Sequence, residues 1–332
     1  MSRTVAVTGA DGRIGRRVVG QLAEVGYQVR GLDRRAGLQQ AEYIVGDMAD
    51  NDALASLVTG ADVVVHLAAL MSWNPADAEL VFDANVTATF RLLEAVRAAG
   101  GAQIILASSG EVYPEMAPAY LPIDEDHPRL PRSHYGMTKL LDEEMTWFYA
   151  RSYDMPATVL RFPHTQDATE LLDPCSVFSG PRFFLRQKLE QQRQAGNTEA
   201  VELLRPYDDG TDRLVLSRSP DGTPHRMPIG DSRDVAAGVV LAVSSPDARG
   251  QTIALGPAEP AAFDVVISRM SELTGLDYVD VRLPGQGPNY SVDISRARQV
   301  LGYDPIYTVD RMLDEAASAY RTRQAASSSP GA

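Results

Sequence analysis

A tyrosine and a lysine four residues apart could together carry out acid–base chemistry. The segment reads Tyr135-Gly136-Met137-Thr138-Lys139, and on a helix residues i and i+4 lie on one face. A tyrosine hydroxyl has a pKa of about 10 and is a poor base at neutral pH. A neighbouring ammonium group stabilises the phenolate and lowers that pKa. We therefore interpret Tyr135 and Lys139 as a candidate pair for proton transfer.

Two serines and a glutamate follow an apolar run that is typical of a buried strand. Residues 104–107 precede Ser108 and Ser109, and Glu111 comes two residues later. Because ligands of parallel sheets bind beyond the C-terminal ends of the strands, a serine hydroxyl there can bind the substrate oxygen on which Tyr135 acts. The alternative interpretation is a turn that a serine side chain caps.

Three glycines near the start of the chain follow a short apolar strand. Val5–Val7 lead into Gly9, Gly12 and Gly15, with the spacing G-x-x-G-x-x-G. The first glycine allows a sharp turn, the second a close approach of a pyrophosphate, and the third close packing of the next helix. The N-terminus of that helix offers free N–H groups to an anion. This order predicts a dinucleotide site, and a plain glycine-rich turn is the alternative.

An acidic residue narrows the choice of dinucleotide. Asp33 ends the next apolar strand, 18 residues after Gly15. That offset is close to the roughly 20 residues expected for a carboxylate that binds the adenosine ribose. Since a carboxylate repels a 2′-phosphate, the sequence predicts NAD rather than NADP. Arg34 and Arg35 follow directly, and they are either phosphate ligands or solvated loop charges.

Further cofactor contacts are predicted beside the glycines and at the ends of other strands, where small residues let the backbone run beside the cofactor. His66, at one of these ends, is interpreted as a packing residue rather than a catalyst. The predicted contacts are Arg13, Ile14, Asp47, Met48, Leu67, Ala68, Ala69 and Phe162.

Alternating strands and helices must position these residues. Apolar segments predict strands near 3–8, 27–32, 42–45, 62–66, 102–107 and 156–162, and a late seventh strand at Thr252–Leu255. Helical patterns fill 13–25, 79–99 and 135–152. Such alternation predicts an α/β fold with a doubly wound parallel sheet of about seven strands, of the Rossmann type.

The alternation ends after Arg161, which indicates a second part of the chain. Residues 163–225 contain prolines, glycines and charges around one helical segment near 182–195, whereas 258–323 hold two helical patterns. The predicted division is an NAD-binding domain over 1–165 to which 226–257 return, a smaller substrate-binding part over 166–225 and 258–323, and a disordered tail over 324–332.

The composition excludes several classes of function. Of 332 residues, 44% are hydrophobic and 23% charged, and the net charge is −13. This acidic balance argues against binding to nucleic acid or to an anionic membrane. With Cys175 as the single cysteine, neither a disulfide nor a metal site is expected. No apolar run reaches 18 residues, and the first strand leaves no room for a signal peptide, so a cytoplasmic enzyme is expected.

The chain resembles the extended short-chain dehydrogenase/reductase family, of the NAD-dependent epimerase/dehydratase type. The resemblance lies in three motifs that follow one another along the chain: the glycine loop, the strand that ends in two serines, and the tyrosine–lysine pair. The resemblance covers roughly 1–162 and resumes at 231–236 and 293–305. It implies that Tyr135 is the general base, Lys139 its activator and a ribose ligand, and Ser109 the third catalytic residue. Ser109 is preferred to Ser108 because it stands four residues before Tyr113.

The resemblance also implies a cofactor contact at Asn85 and a dimer. Asn85 matches the asparagine that precedes a long helix in the family. Family members pair the helices that correspond to 79–99 and 135–152 in a four-helix interface, so we expect a homodimer. Apolar residues on these two segments that fit both the sheet and a partner are Val81, Phe82, Leu92, Leu93, Val96, Leu140, Leu141, Trp147 and Phe148.

Two departures from the family bear on the reaction and the substrate. Sugar-nucleotide dehydratases carry an Asp-Glu pair where this chain has Gly110 and Glu111. The family's Asn-Val-Tyr-Gly-Pro stretch, which helps to place a nucleotide sugar, is replaced by residues 161–167. Arg226 matches an arginine that binds a diphosphate in the family, although the spacing along the chain from Arg226 to Asp234 is one residue longer than the family's usual spacing. Candidate substrate residues are Ser108, Glu111, His134, His164 and Arg226.

The sequence therefore predicts an NAD-dependent oxidoreductase or epimerase that acts on a hydroxyl of a sugar, a sugar acid or a nucleotide sugar. One alternative is a sugar dehydratase or decarboxylase that uses Glu111 after a transient oxidation. A second alternative, from a different class, is a non-catalytic NAD-sensing protein that keeps the fold.

Overall fold

The structure, a computed structural model, describes residues 3–37 and 40–327. The strands are β1 (Thr4–Thr8), β2 (Gln28–Asp33), β3 (Glu42–Val45), β4 (Val63–His66), β5 (Gln103–Ser109), β6 (Ala157–Phe162), β7 (His164–Gln166), β8 (Leu214–Arg218), β9 (Arg226–Met227), β10 (Ile229–Asp231), β11 (Thr252–Ala254), β12 (Ala261–Ala262) and β13 (Tyr278–Arg282). The α-helices are α1 (Gly15–Glu24), α2 (Asn51–Val58), α3 (Ala78–Phe82), α4 (Ala88–Ala98), α5 (His134–Tyr153), α6 (Ser179–Phe183), α7 (Leu185–Gln194), α8 (Thr198–Leu204), α9 (Ser232–Ser244), α10 (Phe263–Thr274), α11 (Ser295–Leu301) and α12 (Val309–Ser327).

The main sheet has seven parallel strands in the order β11-β6-β5-β4-β1-β2-β3. Val5 of β1 lies opposite Val29 of β2 on one side and Val63 of β4 on the other. The chain winds outward in both directions from β1 and β4, so the strand order reverses between these two strands. The predicted doubly wound sheet is confirmed, and the reversal marks the edge where such folds bind their ligands.

Helices cover both faces of this sheet, because alternate residues of each buried strand point to opposite faces. Val5 and Val7 pack with α1 and α9 in one apolar cluster, to which α11 also contributes. Ala6, between them, packs with α2, α4 and α5 in a second cluster. The apolar runs read from the sequence therefore form the centre of a three-layer domain.

Two compact units make up the chain. Of the described residues, the first unit contains those up to Pro163 together with Ser232–Gly256 and Val292–Pro305, and the second contains the others. The sequence-based division left 292–305 in the smaller part. The structure assigns this segment to the sheet unit because Ile294, Ala297 and Tyr303 are buried in the apolar cluster on the α1 face.

The second unit is built on the parallel pair β8–β13, and its core lies beneath α7 and α8. Leu189 of α7, Leu204 of α8 and Val215 of β8 are buried together. The single helical segment predicted near 182–195 is in fact α6 and α7, which are separated at Phe184, and α8 was not predicted. Between residue 258 and the end of the described chain, at residue 327, there are three α-helices rather than two.

The end of the chain also differs from the prediction. Helix α12 extends to Ser327, so residues 324–327 are helical rather than part of a disordered tail. The rest of that predicted tail, 328–332, lies outside the described residues. Among the residues that the structure describes, no helix is long and apolar enough to cross a membrane.

Candidate active site

The glycine loop at the end of β1 has the shape that a bound pyrophosphate requires. Gly9 has a φ of +66°, and a Cβ there would lie 2.8 Å from the backbone nitrogen of Ala68. A Cβ on Gly15 would lie 2.0 Å from the carbonyl oxygen of Gly9, so only glycine lets α1 begin this close to the turn. Gly12 is exposed between them. These residues therefore form a cradle at the N-terminus of α1 that fits the phosphates of a dinucleotide.

The carboxylate of Asp33, at the end of β2, lies beside this loop. One oxygen accepts from the backbone N–H of Asp11 at 2.9 Å, and the other accepts from that of Arg34 at 2.7 Å. Carboxylate oxygens have further lone pairs, so Asp33 can also accept from ribose hydroxyls. Arg35 is largely exposed and forms an ion pair with Asp11 at 3.6 Å.

A buried network at the ends of β1 and β4 orders the next segment of the site. His66 is hydrogen-bonded through Nδ1 to Oγ1 of Thr8 at 2.7 Å and through Nε2 to Oγ1 of Thr89 at 2.9 Å. The Thr8 hydroxyl accepts from the backbone N–H groups of Leu67 and Ala68. Burial, together with the charge of Lys139, lowers the pKa of His66 to about 3. His66 is therefore a neutral packing residue, in agreement with the sequence analysis.

Asn85 connects the loop after β4 to helix α5. It lies in a π-helical turn, Asp83–Thr87, between α3 and α4; such turns often occur at functional sites. Its Oδ1 accepts from the N–H of Leu70 at 2.7 Å, and its Nδ2 donates to the Leu70 carbonyl and to Oγ1 of Thr138. The amide thus fixes backbone next to the predicted cofactor contacts.

Tyr135, near the start of α5, lies close enough to Ser109 at the end of β5 for the two side chains to interact. A Cβ on Gly136 would lie 2.3 Å from the carbonyl oxygen of Glu111, so α5 packs directly on the loop after β5. Burial raises the pKa of Tyr135, as do the charges of Glu111 and Asp142, and the neighbouring side chain of Ser109 opposes this rise. These surroundings favour the protonated form of Tyr135.

Lys139 lies one helical turn after Tyr135 and is almost fully buried. Its ammonium group donates to Oδ2 of Asp142 at 2.9 Å. The carboxylate of Asp142 is therefore the hydrogen-bond partner of the lysine that the sequence predicts to activate Tyr135. Asp142 was missed, although it follows Tyr135 and Lys139 at the helical spacing i, i+4, i+7.

Glu111 is held in place by two side chains, Trp73 and Ser133, that were not predicted from the sequence. Nε1 of Trp73 donates to its Oε1 at 2.9 Å, and Oγ of Ser133 donates to its Oε2 at 2.5 Å. Burial raises the pKa of Glu111, and the two hydrogen bonds oppose this rise. The signal for Trp73 is an aromatic residue in a loop at the end of a parallel strand, where binding residues concentrate.

The other predicted residues of the first unit have distinct surroundings. Ser108 is buried, and its hydroxyl donates to Oε1 of Glu143 at 2.5 Å, so it contacts the core beneath the site. His134 is exposed at the start of α5, and Phe162 is buried at the end of β6. Met48 and Leu67 pack at the margins of the two apolar clusters. The half-buried predicted contacts are Arg13, Ile14 and Ala68, and the exposed ones are Asp47 and Ala69.

His164 and Arg226 belong to the second unit. Nε2 of His164 lies 2.8 Å from Nη2 of Arg182, and the imidazole packs edge-on against Phe178. Arg226 is exposed on β9, where its backbone N–H donates to the carbonyl of Pro288. Arg182 was not identified from the sequence, because it is distant from His164 along the chain.

A parallel doubly wound sheet, a glycine cradle, and a serine–tyrosine–lysine group at its edge define a dinucleotide-dependent enzyme of the short-chain dehydrogenase/reductase class. The model of the NAD dependent epimerase/dehydratase family matches residues 5–256. The chain belongs to this family, as its sequence resemblance predicts.

Several known proteins are similar to this chain over most of its length. A UDP-glucose 4-epimerase of Mycolicibacterium smegmatis is 31% identical, with 73% of this chain and 83% of the relative covered. A short-chain dehydrogenase/reductase superfamily protein from Agrobacterium tumefaciens, solved with bound NAD, is 48% identical, with a TM-score of 0.92 and coverage of 98% and 99%. MoeE5, solved with UDP-glucuronic acid and NAD, is 25% identical, with a TM-score of 0.74 and coverage of 97% and 100%.

Proposed function

We propose that this enzyme uses NAD to oxidise a hydroxyl-bearing carbon of a sugar, a sugar acid or a nucleotide sugar, as a dehydrogenase or an epimerase. The observation that carries the proposal is the juxtaposition of Tyr135 and Ser109 at the same sheet edge as the glycine cradle. The UDP-glucose 4-epimerase relative and MoeE5, crystallised with UDP-glucuronic acid, support a carbohydrate substrate.

The residues around the cradle fit NAD. Gly9, Gly12 and Gly15 leave room for the pyrophosphate at the N-terminus of α1, and Asp33 offers carboxylate oxygens for the adenosine ribose. A bound nicotinamide supplies the acceptor for the hydride of the sugar carbon. By the family resemblance, Lys139 would hold the second ribose.

In this mechanism Tyr135 transfers the proton. Its phenolate oxygen takes the proton of the sugar hydroxyl as the carbonyl forms, and Ser109 is placed to hydrogen-bond the same substrate oxygen. Because burial and nearby carboxylates raise the pKa of Tyr135, the phenolate needs the ammonium of Lys139 close by. In a dehydrogenase the carbonyl product and the reduced cofactor are released. In an epimerase the hydride returns to the opposite face of the carbonyl carbon, and Tyr135 returns the proton to the oxygen.

Absorbance in the NADH band, measured with a panel of sugars, sugar acids and nucleotide sugars, tests the proposal. Net NADH formation identifies a dehydrogenase, and sugar turnover without net NADH identifies an epimerase or a lyase. Paired substrates with and without the nucleotide show whether the nucleotide is required. Binding of NAD without turnover of any substrate would favour the non-catalytic sensor over an enzyme.

Asp33 is expected to make the protein prefer NAD. In Asp33→Ala, the ratio of the dissociation constants for NADP and NAD should fall toward one, because the carboxylate that repels a 2′-phosphate is removed. Calorimetric titration of both cofactors measures the ratio, and Glu24→Ala, at the exposed end of α1, is the control. Tighter binding of NADP than of NAD by the unaltered protein would contradict the assignment.

A second candidate function, elimination or decarboxylation, is favoured by the placement of Glu111. Trp73 and Ser133 orient its carboxylate, and its charge acts on Tyr135. A carboxyl group whose pKa is raised by burial is suited to general acid–base work.

Glu111→Gln is expected to distinguish the two functions. It should leave a simple dehydrogenase or epimerase largely active, but it should lower the rate of an elimination or a decarboxylation by about 10²-fold or more, since the base is lost. Turnover of each substrate class measures this effect. Glu115→Gln is the matched control in the same loop.

We also propose a homodimer formed by α3, α4 and α5, as the family resemblance implies. Phe82 and Phe90, with Phe148 and Tyr153 of α5, are exposed aromatic residues on these helices. Light scattering at micromolar protein should give twice the mass of the 332-residue chain, and Phe148→Glu should lower it to one chain. Val265→Glu, at an exposed position of α10, should leave the mass unchanged. A monomeric mass for the unaltered protein would contradict the proposal.

A further inference from the structure

One face of α5 carries an acid next to the tyrosine–lysine pair. Tyr135, Lys139 and Asp142 follow the spacing i, i+4, i+7, which places them on the same side of a helix. Lys139 and Asp142 are both buried, and their side chains are 3% and 0% exposed. The lysine ammonium therefore does not act on Tyr135 as an isolated positive charge.

The contact is short and leaves part of the carboxylate unsatisfied. Nζ of Lys139 lies 2.9 Å from Oδ2 of Asp142. In the part of the chain that the structure describes, Oδ1 of Asp142 is buried without a hydrogen-bond partner. A buried carboxylate is costly unless it is paired, so its main compensation here is the charge of Lys139.

We propose that Asp142 is a positioning residue of the active site, which anchors the ammonium of Lys139 and supplies the counter-charge that opposes ionisation of Tyr135. The inference rests on the proposed function, in which Tyr135 is the base. Asp142 thereby sets the pH above which the enzyme works.

The charges around Tyr135 make this role measurable. From the loop after β5, Glu111 adds a second negative charge, whereas Ser109 is neutral. From β4, His66 is neutral at physiological pH. Of the nearby charged groups, Arg161 is paired with Glu143. The acids Glu79 of α3 and Asp83 of the π-helical turn are exposed, and Glu94 of α4 is paired with Arg97.

Removal of one negative charge should therefore let Tyr135 ionise more readily. For Asp142→Asn, we expect the acid limb of the kcat/KM profile to move to lower pH by roughly one unit, the size expected for a nearby like charge. The Cζ resonance of ¹³C-labelled Tyr135, assigned with Tyr135→Phe, should shift its titration in the same direction in the cofactor-free protein. Asp142→Glu keeps the charge and should restore the original profile.

Glu144→Gln is the matched control, because Glu144 is the exposed acid on the same helix and pairs with Arg129. It should not move either titration. Thermal melting verifies that each variant folds, and Asp142→Ser replaces the asparagine variant if that one does not. An unchanged profile and resonance in folded Asp142→Asn, or in the Asp142→Ser variant that replaces it, would overturn the proposal. Normal turnover in Tyr135→Phe would instead refute the proposed function itself, so the two failures are distinguishable.

Discussion

Tyr135→Phe is expected to lower turnover by about 10²-fold or more, the usual effect of losing a general acid–base group. The change removes one hydroxyl beside Ser109, and it leaves the glycine cradle and Asp33 untouched. The affinity for NAD and the melting temperature should therefore stay close to those of the unaltered protein. Steady-state rates with any substrate found in the panel, together with NAD titration, measure the two properties separately.

Tyr153→Phe is the matched control for this experiment. Tyr153 is the last residue of the same helix, α5, and is exposed, so loss of its hydroxyl should not change turnover. Lys139→Met should lower the rate and also weaken NAD binding, because Lys139 serves both the base and the ribose in the proposed mechanism. Unchanged turnover in Tyr135→Phe would remove Tyr135 from catalysis, and the chain would then be better described as a binding protein.

The fold was largely predictable because its signals are local. The inner strands β1 and β4 are buried on both faces, so they appear in the sequence as unbroken apolar runs between helical patterns. The glycines are equally local, since a positive φ at Gly9 and close packing at Gly15 constrain single positions.

Contacts between distant positions could not be predicted in the same way. The hydrogen bonds between Thr8 and His66, and those of Asn85 with Leu70 and Thr138, join segments that only the folded sheet brings together. Asp142 is different, because its helical spacing to Lys139 was visible in the sequence. It was missed because charged residues on a helix are usually solvated, and its burial depends on tertiary packing.

The second unit was the least predictable region. Helix α7 has only two buried residues, Leu185 and Leu189, among charged and amide side chains. Strands β9 and β12 have two residues each, which is too short for a periodic pattern. Their pairing depends on partners far along the chain, such as Met227 opposite Ala261.

Arg161→Met is expected to destabilise the first unit by about 3–5 kcal/mol, the cost of breaking a buried ion pair. Arg161 of β6 donates from Nε and Nη2 to the two carboxylate oxygens of Glu143, at 2.9 and 2.8 Å. Both side chains are buried. Substitution leaves the Glu143 carboxylate without its main counter-charge, and Ser108 alone cannot replace the lost charge. Chemical denaturation at neutral pH measures the loss in the free energy of unfolding.

Two variants and a pH series separate this effect from simple loss of packing. Arg129→Met removes the more exposed partner of Glu143 and should lower the free energy of unfolding by less than about 1 kcal/mol. Adding Glu143→Leu to Arg161→Met should recover much of the stability that Arg161→Met loses. Burial raises the pKa of Glu143, but Arg161 outweighs it and holds the pKa below the ordinary value of 4.5. A depressed pKa contributes stability above that value, which disappears as the pH falls through the folded-state pKa. The difference in the free energy of unfolding between Arg161→Met and the unaltered protein should therefore be largest at neutral pH. It should become smaller in acid, where protonated Glu143 needs no counter-charge. Equal losses at both pH values would show that packing, not charge, is responsible.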